Sequence, residues 1–172
     1  MRRTMLSMLA AATAAGGLLA AGGAVAETVK VQLRGFEEVP SVSTAASGEL
    51  RLKIDDKSGT IDYELSYENL QGTVTQSHIH VGQPGVAGGI SIWLCQSATN
   101  PAPAAVSATT PTCPQAGVVT GTLTAASVIG PVPQLITAGQ LDEVIRAIRA
   151  GYAYGNVHSS AVPAGEIRGQ LH

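Results

Sequence analysis

Glu49-Leu50-Arg51-Leu52-Lys53-Ile54, then Asp55-Asp56-Lys57-Ser58-Gly59, then Thr60-Ile61-Asp62-Tyr63-Glu64-Leu65-Ser66-Tyr67: this stretch decides how the chain folds. On both sides of the polar centre, every second residue is apolar. Successive side chains of a strand point to opposite faces, so this period is that of a half-buried strand. The Asp-Asp-Lys-Ser-Gly centre is turn chemistry, and the whole reads as a hairpin.

The same period continues outward. Val29, Val31 and Leu33 alternate with Lys30, Gln32 and Arg34. Further strands are expected near 73–81, 90–95, 117–123, 152–158 and 166–172. About eight short strands separated by turn signals predict an all-β fold, a Greek-key β-sandwich or barrel. One helix interrupts it, at about 138–150. Leu141, Val144, Ile145 and Ile148 recur at helical spacing. Thr137-Ala138-Gly139-Gln140 reads as a capping box, with Thr137 as the cap and Gln140 reaching back. Arg146 and Arg149 suit the last turns, and Gly151 suits the residue just beyond them. The stretch 97–112, rich in Pro, Ala, Ser and Thr, reads as a surface loop.

The N-terminus stands apart. Met1-Arg2-Arg3 precedes an uncharged run from Met5 to Ala21, and Ala24-Val25-Ala26 fits a small-x-small cleavage site. Residues 1–26 are expected to be a signal peptide, with a domain at 27–172. A retained membrane anchor is disfavoured, because the run is short and Gly/Ala-rich. Removing 26 of the 172 residues leaves 146, enough for one domain with a real core. Arg2 and Arg3 leave with them. The remaining 8 basic residues face 12 acidic ones, a net charge of −4 that argues against nucleic acid and anionic membrane as partners. The product is expected to be exported, periplasmic or secreted, with no membrane span after cleavage.

Cys95 and Cys113 are the only cysteines. In an oxidising compartment they read as a disulfide. A loop of that size contributes roughly 3 kcal/mol in the chain-entropy picture. The alternative, a thiolate metal or redox site, has the wrong spacing.

Three of the four histidines fall in two short blocks, His78-Ile79-His80 and Asn156-Val157-His158. Residues two apart share a strand face, so His78 and His80 project together, and His158 projects with Tyr154 and Asn156. If the two strands are neighbours, three imidazoles meet. Three nitrogen donors suit copper or zinc and leave a position open. The competing reading is structural histidines that bind loop backbone. Copper(II) comes first and zinc second, by the affinity order of nitrogen sites. Asn156 and Arg168 are candidates to orient the rings or hold an anion. His172, at the terminus, is left out. Glu166 and Arg168 share a face and are expected to pair, as a partly exposed salt bridge. No Ser/His/Asp arrangement, free thiol or carboxylate pair suggests a catalytic centre. The glycines at 82, 85, 88 and 89 are not a phosphate cradle.

Several stretches carry a family resemblance: Leu33-Arg34-Gly35-Phe36-Glu37-Glu38-Val39-Pro40, Ser77-His78-Ile79-His80-Val81-Gly82, Ile90-Ser91-Ile92-Trp93-Leu94-Cys95, Ala150-Gly151-Tyr152-Ala153-Tyr154-Gly155-Asn156-Val157-His158 and Pro163-Ala164-Gly165-Glu166-Ile167-Arg168-Gly169-Gln170-Leu171. Through them the chain resembles the CHRD (chordin) domain family from about Val29 to Leu171. The resemblance implies an extracellular β-sandwich module. The single-domain layout is similar to the small exported bacterial kind, so the growth-factor binding of animal chordin is not carried over. His78 and His80 also resemble the His-x-His pair of copper/zinc superoxide dismutase, with His158 standing for a later copper ligand. The departures are large. That enzyme needs four copper-binding histidines and a zinc set sharing one of them, and the present chain has four His in all and no His/Asp zinc loop.

The reading is an exported binding module that takes a single metal ion through His78, His80 and His158, with an unidentified protein or surface polymer as its other partner. Two alternatives stay open: a copper-dependent redox enzyme of dismutase-like layout, and a structural or adhesive envelope protein.

Overall fold

The computed structural model describes residues 26–172, so the expected signal peptide, apart from its last residue, lies outside the described residues. The alternating stretches form strands β1 (Glu27–Arg34), β2 (Ser47–Asp55), β3 (Thr60–Glu68), β4 (Val74–Val81), β5 (Gly89–Cys95), β6 (Gly117–Leu123), β7 (Ala153–Ser159) and β8 (Ile167–Leu171). In the hairpin, the Asp55 carboxylate accepts the N–H groups of Lys57 and Ser58 at 2.9 and 3.3 Å. Gly59 takes φ 65°, a conformation costly for any residue with a Cβ. Pairing then runs without slip from Asp55 opposite Thr60 to Ser47 opposite Glu68.

All eight strands belong to one antiparallel sheet, in the order β5-β4-β7-β8-β1-β2-β3-β6. Its middle is narrow, because β8 meets β1 through a single pair, Arg168 opposite Arg34. There the sheet folds on itself into two four-stranded leaves and becomes nearly barrel-shaped. On the far side Ile92 bridges Val128, beyond β6, and the Tyr63 hydroxyl donates to the Leu94 carbonyl at 2.6 Å. This is the expected all-β architecture.

Leu50, Leu52, Ile54, Ile61 and Leu65 of one leaf meet Ile79, Ile92, Leu94, Val157 and Leu171 of the other in one buried core. Each such side chain contributes roughly 1.5–3 kcal/mol by leaving water. The leaves approach closely at Gly155, where a Cβ would lie 2.5 Å from Leu50 Cδ2. The core side of β7 therefore carries Ala153, Gly155 and Val157, and Tyr154, Asn156 and His158 point away.

Helix α1 (Leu141–Arg149) adds Leu141, Val144, Ile145 and Ile148 to the core. Its start differs from the expected capping box. The Gln140 side-chain oxygen does accept the Thr137 N–H, at 2.7 Å, but it also accepts the Thr137 hydroxyl, and Gly139 at φ 91° breaks the helical run. These residues form a turn ahead of the helix, and Thr137 does not cap it. Gly151 ends the helix with φ 74°. Arg149 binds Glu27 at 2.7 Å and Asp56 at 2.9 Å, so the helix end grips the start of β1 and the β2–β3 hairpin.

Cys95 and Cys113 are bonded, with Cα atoms 5.0 Å apart. The loop they close is more organised than its composition implies. Gln96 donates to the carbonyls of Ser107 and Thr110 and accepts the Ala102 N–H, while Ala102, Val106 and Thr110 are buried.

Candidate metal centre

Strand pairing lays out the site. His78 stands opposite Asn156, His80 opposite Tyr154, and Gln76 opposite His158. On the next strands Arg168 stands opposite Asn156, and Trp93 opposite His78. Directly paired residues share a face, so Trp93, both β4 histidines, the Tyr154-Asn156-His158 set and Arg168 form one layer on the side away from the core.

That layer is itself buried, which alternation alone does not announce. His78, His80 and His158 are 0, 7 and 6% exposed. Three loops cover it. The 82–88 loop supplies the Gly88 carbonyl, which accepts from His80 Nδ1 at 3.0 Å. The loop after β7 supplies the Pro163 carbonyl, which accepts from His158 Nδ1 at 2.9 Å. The loop after β1 supplies buried Glu38. Both carbonyls need a ring N–H, so His80 and His158 carry their protons on Nδ1 and turn bare Nε2 lone pairs inward.

The inward atoms converge. One ligand nitrogen from each of His78, His80 and His158 lies within 4.8 Å of the other two. His78 Nδ1 is 3.2 Å from His158 Nε2. Two nitrogens held about 2.0–2.1 Å from one tetrahedral ion stand roughly 3.3 Å apart, so this pair already has ligand spacing. His80 Nε2 faces Asn156 Oδ1 at 3.1 Å. With the ring neutral both atoms are acceptors, unless the amide turns its NH2 inward or a cation takes the lone pair. His78 Nε2 is enclosed with no partner.

Burial keeps the rings neutral. It pushes His80 down to about 4, partly offset by the Gly88 carbonyl. It pushes His78 well below the ordinary imidazole value, aided by the neighbouring His158 and His80, and it lowers His158 as well. Neutral imidazole is the form that binds metals.

Aromatic rings back the ligands. Tyr154 stacks on His80 with centroids 4.7 Å apart and planes 3° apart. The Arg168 guanidinium lies over the other side of Tyr154, 3.4 Å from its centre. Trp93 stands edge-on to His78 at 4.3 Å. Glu38 is pushed up to about 7 by burial, which the nearby Arg168 only partly offsets.

Glu166 and Arg168 do not pair, and neither is exposed. Gly165, at φ 132°, turns the chain just ahead of β8, so Glu166 lies outside the strand's alternation. Its carboxylate accepts from Thr44 Oγ1 at 2.7 Å, from the Gln71 N–H at 2.9 Å and from Ser159 Oγ. It fastens three segments. Arg168 instead donates to the carbonyls of Gln83 and Val86 and to Gln170. Glu38, Trp93 and the stacking of Tyr154 on His80 were not foreseen. Tyr154 alone had a signal, since it shares a face with His158. His172 is exposed and is not part of the triad.

The family model for the CHRD domain matches residues 29–171. No curated protein and no solved structure matches the chain. The match spans nearly the whole sequence, and the chain belongs to the CHRD domain family.

Proposed function

We propose that this CHRD-domain chain is an exported binding module that holds a single transition-metal ion, copper first and zinc second, through His78, His80 and His158. The observation that carries the reading is the convergence of three buried, neutral imidazoles. A buried polar layer is stable when its groups are satisfied. Here the bare His80 Nε2 faces the Asn156 amide oxygen, and a cation beside them removes the conflict. Donation of Nδ1–H to backbone carbonyls by His80 and His158 is the usual support for metal-ligating histidines. The Cys95–Cys113 bond agrees with a secreted or periplasmic setting.

The test is the metal content of untagged protein, together with unfolding temperatures with and without copper. Copper is expected to raise the melting point of the wild type and to leave His80→Ala and His158→Ala unmoved. An equal rise in both variants would show that these histidines serve structure alone.

A further inference from the structure

Building on that metal reading, we propose that the site takes copper as copper(I) in preference to copper(II), because its donors are three neutral imidazoles in the protein interior.

Charge is the first reason. The cost of moving an ion out of water grows with the square of its charge, so a divalent ion costs roughly four times what a monovalent one of similar size does. Carboxylate or thiolate donors would offset that cost. The triad contains neither, and no ring is more than 7% exposed.

The local field adds to it. Arg168 is 2% exposed and lies on Tyr154, which lies on His80, so a fixed positive charge sits behind one ligand. The guanidinium binds two backbone carbonyls and one amide oxygen, none of them charged. Glu38 also faces this region; burial raises its carboxyl to about 7, so near neutral pH it carries only part of a negative charge, and Arg168 draws on that part. None of the three donors themselves supplies negative charge to compensate a second positive one on the ion.

Coordination points the same way. Copper(II) favours a tetragonal set of nitrogen and oxygen donors. Here the three donors come from two adjacent strands, and the polar atom next to them is a neutral amide oxygen, 3.1 Å from His80 Nε2. Copper(I) has a filled d shell and makes no such demand, so a trigonal set of imidazoles suffices. The ion would enter and leave in one oxidation state, and no electron is transferred.

The experiment compares ions on the intact wild-type protein. Copper(I) is titrated without oxygen against bicinchoninate, with ascorbate as the reductant so that the disulfide survives. Copper(II) and zinc are titrated against nitrilotriacetate. We expect copper(I) to bind at least about 1,000-fold more tightly than copper(II), which at ~59 mV per tenfold raises the bound couple by about 180 mV. His80→Ala and His158→Ala should each lose the copper(I) site. Copper(II) binding as tightly as copper(I) overturns the oxidation-state inference and leaves the metal site standing. Binding of no ion, or binding unchanged in both variants, overturns both.

Discussion

On β2 and β3, the polar residues of the alternation include Arg51, Lys53, Asp62 and Glu64, and all four are exposed. On β4 and β7, the corresponding residues are His78, His80, Tyr154, Asn156 and His158, and all five are buried. The period is the same in both leaves, and the core side is apolar in both. What differs is the kind of polar group. Permanent charges are too costly to cover, so the first leaf keeps one wet face. Neutral imidazole, phenol and amide groups can be covered once their hydrogen bonds are met, and loops close over the second leaf. Its permanent charge, Arg168, is accommodated by carbonyls and an aromatic face. One leaf has the profile of a scaffold and the other that of a container.

Metal loading should separate the leaves most sharply. Copper at about 1,000 times its dissociation constant should stabilise the fold by ~4 kcal/mol. Hydrogen exchange should show the added protection at the amides of β4 and β7 before those of β2 and β3. A uniform gain would break the distinction.

The buried fastening comes next. Glu166→Ala leaves Thr44, Ser159 and the Gln71 N–H without their acceptor. Urea unfolding should show a loss of about 3 kcal/mol, whereas Lys53→Ala on the wet face should stay within about 0.5 kcal/mol. Equal effects would mean that the cover contributes nothing.

Glu38 gives a pH-dependent test. It titrates near 7 in the fold and near 4.5 when unfolded, so between those values the fold holds a proton that the unfolded chain has released. Stability from this group is complete below about pH 4.5 and is lost as pH rises to 7. Glu38→Gln, which mimics the protonated form, should exceed the wild type by about 2–3 kcal/mol at pH 8 and by nothing at pH 4. A pH-independent difference would place Glu38 in water.

The histidines act in the opposite sense. His80 titrates near 4 in the fold and near 6.5 when unfolded, so the unfolded chain gains protons first as pH falls. In metal-free Glu38→Gln protein, stability should fall between pH 6.5 and 4. Each ring held neutral contributes about 1.4 kcal/mol per pH unit once well below 6.5. Flat urea midpoints across that window would mean that the rings are solvated.

The strands were legible because alternation is local: the hairpin at Asp55–Gly59 and the shared face of His78 and His80 follow from period two alone. The burial of that face was not legible. Its cover comes from Glu38, Gly88 and Pro163, which three separate loops carry to the site, and no spacing rule links them to His158. The separate roles of Glu166 and Arg168 escape the alternation for a related reason. Parity predicts a shared face only while the strand continues, and the turn at Gly165 ends that guarantee one residue too early.

Trp93 is the only tryptophan of the chain, and its ring touches His78. Excited at its red edge, the protein therefore emits from a single point, and that point is the wall of the histidine cluster. A bound paramagnetic ion, a protonated imidazole or a loosened cover would each change the same emission. The molecule carries its own optical probe of the site, needing neither label nor cofactor absorbance.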